Sequence, residues 1–226
     1  MHIGSQITDL TPYRHAFTLM RDLALELRRA GHALEHLDLG GGLGVPYRST
    51  GNDIAPSPSA YAGLVRETVG GLGLKLVLEP GRVIVANAGV LVTRVIYAKH
   101  GRDKVFTVVD AAMNDLIRPT LYEAEHEIWP VQEAAAQAAP ILQDVVGPIC
   151  ETGDYLAQGR RLPPCDPGDL LAVMSAGAYG AAMSSTYNSR LLVPEVLVNG
   201  ADWAVVRPRP TYADLIGLDR VPEWLR

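Results

Sequence analysis

The sequence predicts an α/β region followed by a β-rich region, and three observations support this fold class. Helix-like and strand-like segments alternate over the first ninety residues, which is typical of parallel βα units. Strand-like runs then follow one another without long helices, which is typical of a mostly antiparallel β domain. The early strands end in glycine or polar residues, and functional residues of a (β/α)8 barrel lie at such strand ends. We therefore predict a barrel-like domain over 1–89 and an antiparallel β domain over 90–226.

Composition narrows the functional classes. The chain has 226 residues, is 48% hydrophobic and carries a net charge of −5, so it can bury a core and is not expected to be disordered. This mildly acidic net charge argues against a nucleic-acid partner, which usually requires a basic patch. Two cysteines are too few for a disulfide framework, and the longest apolar stretch, around 83–93, is too short to span a bilayer. We expect a cytoplasmic protein without a secretory signal, a membrane partner or a metal site.

Two helices and two strands account for the first region: helix 11–31, strand 34–39, helix 58–70 and strand 75–78. Thr11 is the expected N-cap of the first helix, Pro12 its first helical residue and Gly31 its stop signal. The first strand ends at Gly40-Gly41-Gly42 and the second at Glu79-Pro80-Gly81-Arg82, while residues 2–5 (HIGS) form a third strand end. These three strand ends are expected to lie together at one rim of the barrel, where the strands end.

The second region contains a series of short strands, predicted at 90–98, 104–111, 144–150, 169–174, 194–200 and 203–206. Gly101-Arg102-Asp103 separates the first two strands, and Asn199-Gly200 is a strong hairpin-turn signal between the last two. The strand over 144–150 is expected to end at Cys150.

Glycine and polar side chains at the early strand ends suggest an anion and cofactor site. Glycines 40–42 allow backbone N–H groups to close around a phosphate, to which Ser5 could also donate, although a tight structural turn explains GGG equally well. Glu79 could hold a pyridine nitrogen protonated, and Arg82 could bind a carboxylate. A solvated Glu–Arg pair is the alternative, and a histidine near a terminus, such as His2, usually has no function.

Three further groups in the second region could contact a substrate. Arg118 and Tyr122 are four residues apart and would share a helix face, provided that Pro119 lies in the first turn. Cys150 lies beside Glu151 and could donate a proton, although buried cysteines are usually inert. Tyr179 lies between small residues in GAYG, where a core tyrosine is the alternative interpretation.

The motifs HIGSQ, DLGGGLG, EPGR, NDLIRPTLY, CETGD and GAYG occur in this order over residues 2–180. The set resembles the C-terminal part of the meso-diaminopimelate decarboxylases, which use pyridoxal 5'-phosphate. They belong to the fold-type III group, with the ornithine and arginine decarboxylases and alanine racemase. The resemblance implies the C-terminal part of a (β/α)8 TIM-like barrel followed by an antiparallel β domain.

The resemblance also implies residue roles. His2 would face the cofactor ring as a catalytic residue, and Glu79 would pair with its pyridine nitrogen. Tyr179 would contact cofactor and substrate, and Cys150 would be the general acid that acts in the partner subunit's site. The phosphate would be bound by Ser5, Gly40, Gly41 and Gly42, with help from the backbone of Gly81 and Arg82. The distal carboxylate of the substrate would be bound by Arg82, Arg118 and Tyr122, and its distal amino group by Glu151.

The implied reaction converts meso-2,6-diaminopimelate to L-lysine and CO2 in a homodimer. A cationic receptor such as Arg118 suits a distal carboxylate, whereas ornithine offers a bare ammonium group. None of the three lysines, Lys75, Lys99 and Lys104, matches the lysine to which this family attaches its cofactor. We therefore expect the chain to belong to a longer parent enzyme and to be inactive alone. An inactive truncated fragment and a decarboxylase of another basic amino acid, of the ornithine or arginine type, are the alternatives.

Overall fold

The computed structural model describes residues 1–49, 54–133 and 137–225, and it divides into two compact units. Unit 1 comprises Met1–Leu91, Glu125–Trp129 and Ala172–Tyr179, and unit 2 comprises Val92–Ala124, Pro130–Leu171 and Gly180–Arg226. In the described part of the chain, no helix is long and apolar enough to cross a membrane.

Unit 1 begins with α1 (Thr11–Arg29). The prediction that Thr11 caps this helix is wrong, because Leu10 is the N-cap and Thr11 is the first helical residue. The Thr11 hydroxyl instead donates to Asp9 Oδ1 at 3.0 Å, and this carboxylate oxygen also accepts the Thr11 N–H at 2.9 Å. The predicted stop is confirmed: Gly31 has φ +90°, and the N–H groups of Gly31 and His32 bond the carbonyls of Arg28 and Leu27.

The predicted βα alternation is confirmed in unit 1. Strands β1 (His36–Asp38) and β2 (Lys75–Val77) pair in parallel, with α2 (Pro58–Val69) between them in the chain. Ser57 caps α2 by accepting the Ala60 N–H at 3.1 Å, and the short α3 (Arg82–Val85) begins at the last residue of EPGR. The two long helices pack through a buried aromatic cluster of Tyr13, Phe17 and Tyr61. This packing fixes the strand ends that form the candidate site.

The chain from Leu91 onward supplies a six-stranded sheet and a separate hairpin. The strand bounds are β3 (Leu91–His100), β4 (Val105–Val109), β5 (Ile128–Pro130), β6 (Ile141–Val146), β7 (Tyr155–Leu162), β8 (Leu170–Val173), β9 (Glu195–Asn199) and β10 (Asp202–Arg207). The sheet has the order β5-β8-β3-β4-β6-β7, and β9 pairs with β10. The pairs β3–β4, β6–β7 and β9–β10 are antiparallel, which confirms the predicted character, whereas β4–β6 is parallel.

Two short helices complete unit 2: α4 (Arg118–Tyr122) and α5 (Tyr212–Ile216). The prediction that a strand ends at Cys150 is wrong, since β6 ends at Val146. The chain turns after β6 because the N–H of Gly147 bonds the carbonyl of Asp154 at 3.1 Å, so that residues 147–154 fold back as a tight loop. Cys150 therefore lies in a loop, not in a sheet.

Candidate functional site

Three segments of unit 1 meet at one rim, as the sequence predicts. The N–H of Glu79 donates to the carbonyl of Gly40 at 2.8 Å, which joins the ends of β1 and β2. A Cβ on Gly41 would overlap the carbonyl oxygen of Glu79, and a Cβ on Gly40 would overlap that of Met1, the residue before His2. The glycines are therefore required for close approach of backbone segments, a structural reason that the phosphate hypothesis does not include.

The rim has donors that fit a phosphate group. The Gly40 N–H is bonded to Asp38 Oδ1 at 2.8 Å. Among the described residues, no acceptor bonds the N–H groups of Gly41 and Gly42, so these two can donate to an anion. The exposed Ser5 hydroxyl lies at the same rim, because a Cβ on Gly42 would overlap the carbonyl oxygen of Gly4. Glu79 is exposed there too.

Arg82 is held at this rim by three side chains of unit 1. Its Nη1 donates to the Tyr47 hydroxyl, and its Nη2 donates to Ser5 Oγ at 3.0 Å. The guanidinium carbon lies 5.6 Å from the centre of the Tyr47 ring and 4.9 Å from that of Tyr179. Its Nε is buried and has no hydrogen-bond partner among the described residues. The arrangement presents a fixed cation of the kind that binds carboxylate or phosphate.

Tyr179 is positioned by a constrained loop. It has φ +61°, and the preceding Gly177 donates its N–H to the carbonyl of Ala86 at 3.1 Å. A Cβ on Gly177 would overlap the carbonyl oxygen of Val85, so only glycine allows this approach to α3. Tyr179 remains 40% exposed, and its hydroxyl lies 3.8 Å from the position of a Cβ on Gly81. The tyrosine is accordingly a surface residue of the rim and not a core residue.

Sequence reasoning missed two side chains of this region, Tyr47 and His126. Tyr47 is 9% exposed, and its ring packs edge-on against His126 with the centroids 5.1 Å apart. His126 is fully buried, and its Nδ1 lies 2.7 Å from the carbonyl oxygen of Met174. An aromatic residue five positions after GGG was the available signal for Tyr47, whereas nothing near His126 in the sequence pointed to the site.

Cys150 and Glu151 lie together on the loop of unit 2 that Asp154 organises. The buried Asp154 carboxylate accepts the N–H of Ile149 at 2.6 Å and that of Met113 at 2.7 Å. Burial raises the pKa of Asp154, against the lowering effect of these two donors. Cys150 and Glu151 are both exposed at the loop surface, and Asp154 was not identified as important from the sequence.

The segment NDLIRPTLY is linked to the same loop. Thr120 of α4 donates its hydroxyl to the carbonyl of Gly153, and a Cβ on Gly153 would lie 2.7 Å from Thr120 Cγ2. Pro119 lies in the first turn, as the shared-face hypothesis requires. Arg118 is only 6% exposed, however, while Tyr122 is 61% exposed, so the two side chains differ strongly in solvent access.

A polar network supports the start of that segment. Arg190 Nε donates to Asn114 Oδ1 at 2.9 Å, and its Nη2 lies 3.5 Å from Asp115 Oδ2. The Asp115 side chain is fully buried, and this burial raises its pKa although Ala112 and Arg190 favour the charged form. This network holds the residues that precede α4 in place.

The two cysteines differ in chemistry. Cys165 is half-buried, and burial with the nearby Asp169 and Asp166 raises its thiol pKa to about 11. Its Sγ donates to the carbonyl of Pro163 at 3.4 Å. Cys165 therefore remains a protonated thiol at neutral pH. Cys150, which is exposed, is the cysteine that can reach a ligand.

Comparisons with known proteins give the family context. The model of the pyridoxal-dependent decarboxylase C-terminal sheet domain matches residues 10–177. A diaminopimelate decarboxylase of Zymomonas mobilis is 48% identical over 224 residues, covering 99% of this chain and 52% of the relative. A diaminopimelate decarboxylase of Pseudomonas aeruginosa is 52% identical over 214 residues, covering 95% and 50%.

Solved structures agree with the sequence comparisons. Diaminopimelate decarboxylase from Helicobacter pylori, crystallised with L-lysine, has a TM-score of 0.87 at 39% identity and covers 96% of this chain and 52% of that one. The chain thus spans about half the length of the curated relatives it matches.

Proposed function

We propose that this chain, which belongs to the family of pyridoxal-dependent decarboxylases, forms part of a longer enzyme that decarboxylates meso-2,6-diaminopimelate to L-lysine and CO2. This reaction is the last step of lysine biosynthesis, and the enzyme is proposed to act in the cytoplasm as a homodimer. The observation that carries the proposal is the rim of unit 1, where Ser5, Glu79, Arg82 and Tyr179 meet around the glycines 40–42. The 48% identity to a diaminopimelate decarboxylase supports the substrate.

Pyridoxal 5'-phosphate would supply an electron sink for the pair of electrons left behind when CO2 departs. Residues of the rim fit this group. Ser5 Oγ and the N–H groups of Gly41 and Gly42 would bind its phosphate, with Gly40 and Gly81 shaping the backbone around it. The Glu79 carboxylate would accept a hydrogen bond from the ring nitrogen, and His2 would lie against the ring.

Residues with complementary charge would bind the far end of the substrate. Diaminopimelate carries a carboxylate and an ammonium group there. Arg82, Arg118 and the Tyr122 hydroxyl would bind the carboxylate, and Glu151 would bind the ammonium. A substrate without the distal carboxylate would offer no anion to Arg82 and Arg118, which disfavours the ornithine type.

Cys150 would hold the proton that replaces CO2 on the substrate carbon. Its thiol lies on an exposed loop, and the proton at Sγ would pass to that carbon. Asp154 would keep the thiol in position, because it binds the backbone N–H of the preceding residue, Ile149. As in the family pattern, Cys150 and Glu151 are proposed to act in the site of the partner subunit, while Tyr179 contacts substrate and cofactor in its own.

The test uses the full-length parent with pyridoxal phosphate and measures lysine from meso-diaminopimelate and putrescine from ornithine. We expect lysine and no putrescine. Cys150→Ala should retain cofactor absorbance yet lose most turnover, about 10²-fold or more for loss of a general acid. Cys165→Ala is the matched control and should keep full turnover. Production of putrescine alone would overturn the substrate assignment, and unchanged turnover of Cys150→Ala would overturn the proton-donor role.

A second measurement concerns the three lysines. Lys75 lies at the amino end of β2, opposite the end that carries Glu79, Lys99 lies within β3, and Lys104 forms an ion pair with Asp144. We therefore expect no borohydride-reducible adduct of pyridoxal phosphate on the 226-residue chain. A stable adduct at one of these lysines would contradict the proposal that the chain needs the rest of its parent.

A further inference from the structure

We propose that Tyr47 is a positioning residue that fixes the guanidinium plane of Arg82 for the distal carboxylate of the substrate. The inference deepens the proposed function and rests on it for the identity of that carboxylate. Bidentate recognition of a carboxylate favours a guanidinium held in one plane, since a mobile arginine loses rotamer entropy when it binds. The question is therefore which side chain immobilises Arg82.

Tyr47 contacts Arg82 in two independent ways. Its hydroxyl accepts a hydrogen bond from Nη1, and its ring lies 5.6 Å from the guanidinium carbon. The other ring that contacts the guanidinium, Tyr179, is 40% exposed, whereas Tyr47 is only 9% exposed. A buried ring changes conformation less readily than an exposed one, so Tyr47 is the less mobile of the two tyrosines that contact Arg82.

Tyr47 is itself anchored within unit 1. Its ring packs at 79° against the fully buried His126, whose Nδ1 lies 2.7 Å from the Met174 carbonyl oxygen. Val45, Ala86 and Ala178 form a small apolar cluster with Tyr47. The tyrosine is thus packed in a core on one side and bonded to Arg82 at its polar end.

The other two donor atoms of Arg82, Nη2 and Nε, show which hydrogen bonds the guanidinium can offer to a ligand. Nη2 bonds Ser5 Oγ at 3.0 Å, an exposed hydroxyl that a ligand can displace or share. Nε is buried, and no acceptor among the described residues bonds it. With Nη1 occupied by Tyr47, the guanidinium keeps donors for an incoming acceptor and cannot rotate away from it.

Tyr47→Phe is the informative variant because it keeps the aromatic ring and removes only the hydroxyl. The control is Tyr61→Phe, which removes a hydroxyl from the aromatic cluster of α1 and α2 in the same unit. On the 226-residue chain, the rate of phenylglyoxal modification is measured residue by residue by mass spectrometry. Arg82 should react about tenfold faster in Tyr47→Phe, the factor expected for loss of a hydrogen bond to a charged group.

Arg14, ion-paired with Glu67 in the same unit, is the internal reference and should react at the wild-type rate in both variants. An unchanged rate at Arg82 would overturn the proposal. So would equal acceleration at Arg14 and Arg82, which would mean general loosening of unit 1.

Kinetics of the full-length parent supply the second readout. Because Arg82 would bind the carboxylate in the ground state and the transition state alike, Tyr47→Phe should raise KM for meso-diaminopimelate about tenfold and change kcat little. A fall in kcat with KM unchanged would overturn the positioning role. If the parent decarboxylates neither diaminopimelate nor ornithine, the proposed function fails, while the modification rates still decide whether Tyr47 fixes Arg82.

Discussion

Asp154 provides a direct test of how the loop that carries Cys150 is held. Its carboxylate accepts two backbone N–H groups, from Met113 at 2.7 Å and from Ile149 at 2.6 Å. Hydrogen bonds to a charged group contribute about 1.5–3 kcal/mol each. Burial, which raises the pKa of Asp154, offsets part of that gain. Asp154→Ala should therefore lower the free energy of unfolding by about 3 kcal/mol, and Asp154→Asn, which retains one acceptor oxygen, by about half as much.

The assay is thermal and urea unfolding of the purified chain, followed by far-ultraviolet circular dichroism. For a chain of this length, a loss of about 3 kcal/mol corresponds to a fall in Tm of roughly 6–12 °C. Thr152→Ala is the control, because Thr152 is an exposed residue of the same loop. If Asp154→Ala were no less stable than Thr152→Ala, the loop would not depend on the buried carboxylate and the reasoning would be refuted.

Two further predictions concern unit 1. Burial, with a smaller effect of Tyr61, raises the pKa of Tyr13 from 10.0 to about 12. The Tyr13 hydroxyl therefore loses its proton at a lower pH in the unfolded chain than in the folded chain. Stability should therefore fall as pH rises from 10 to 12, by about 3 kcal/mol in all. Tyr13→Phe should reduce this alkaline loss in urea titrations, and an equally steep loss would contradict the assignment. Gly41→Ala would force the Glu79 carbonyl away and should cost more than about 2 kcal/mol. Gly63→Ala, in open space on α2, should gain about 0.5–1 kcal/mol. Equal stabilities of the two alanine variants would refute the close-approach argument.

The sequence carried most of the information about local structure. Helical spacing, Gly31 and the strand ends correctly indicated α1, α2 and the parallel pair of β1 and β2, because these signals depend on residues near in the chain. Thr11 failed as a cap because the helix already includes it, and its N–H and hydroxyl both donate to the carboxylate of Asp9.

Contacts between distant residues escaped prediction. The end of β6 at Val146 depends on a bond between Gly147 and Asp154, and the position of Arg82 depends on Tyr47, thirty-five residues earlier. Spacing along the chain contains no information about such partners, so Tyr47, His126 and Asp154 were found only in three dimensions.

The sequence by itself determined which chemical groups are present and their order: a triple glycine, Glu79 and Arg82 at strand ends, and a cysteine beside a glutamate. The tertiary structure decided what surrounds them. It showed that the glycines let backbone segments touch, that Arg82 is held by a buried tyrosine, and that Cys150 is exposed while Cys165 is held as a protonated thiol. The physical reason is that close approach, burial and hydrogen-bond partnership are properties of the folded neighbourhood, which residues far apart in the chain create together.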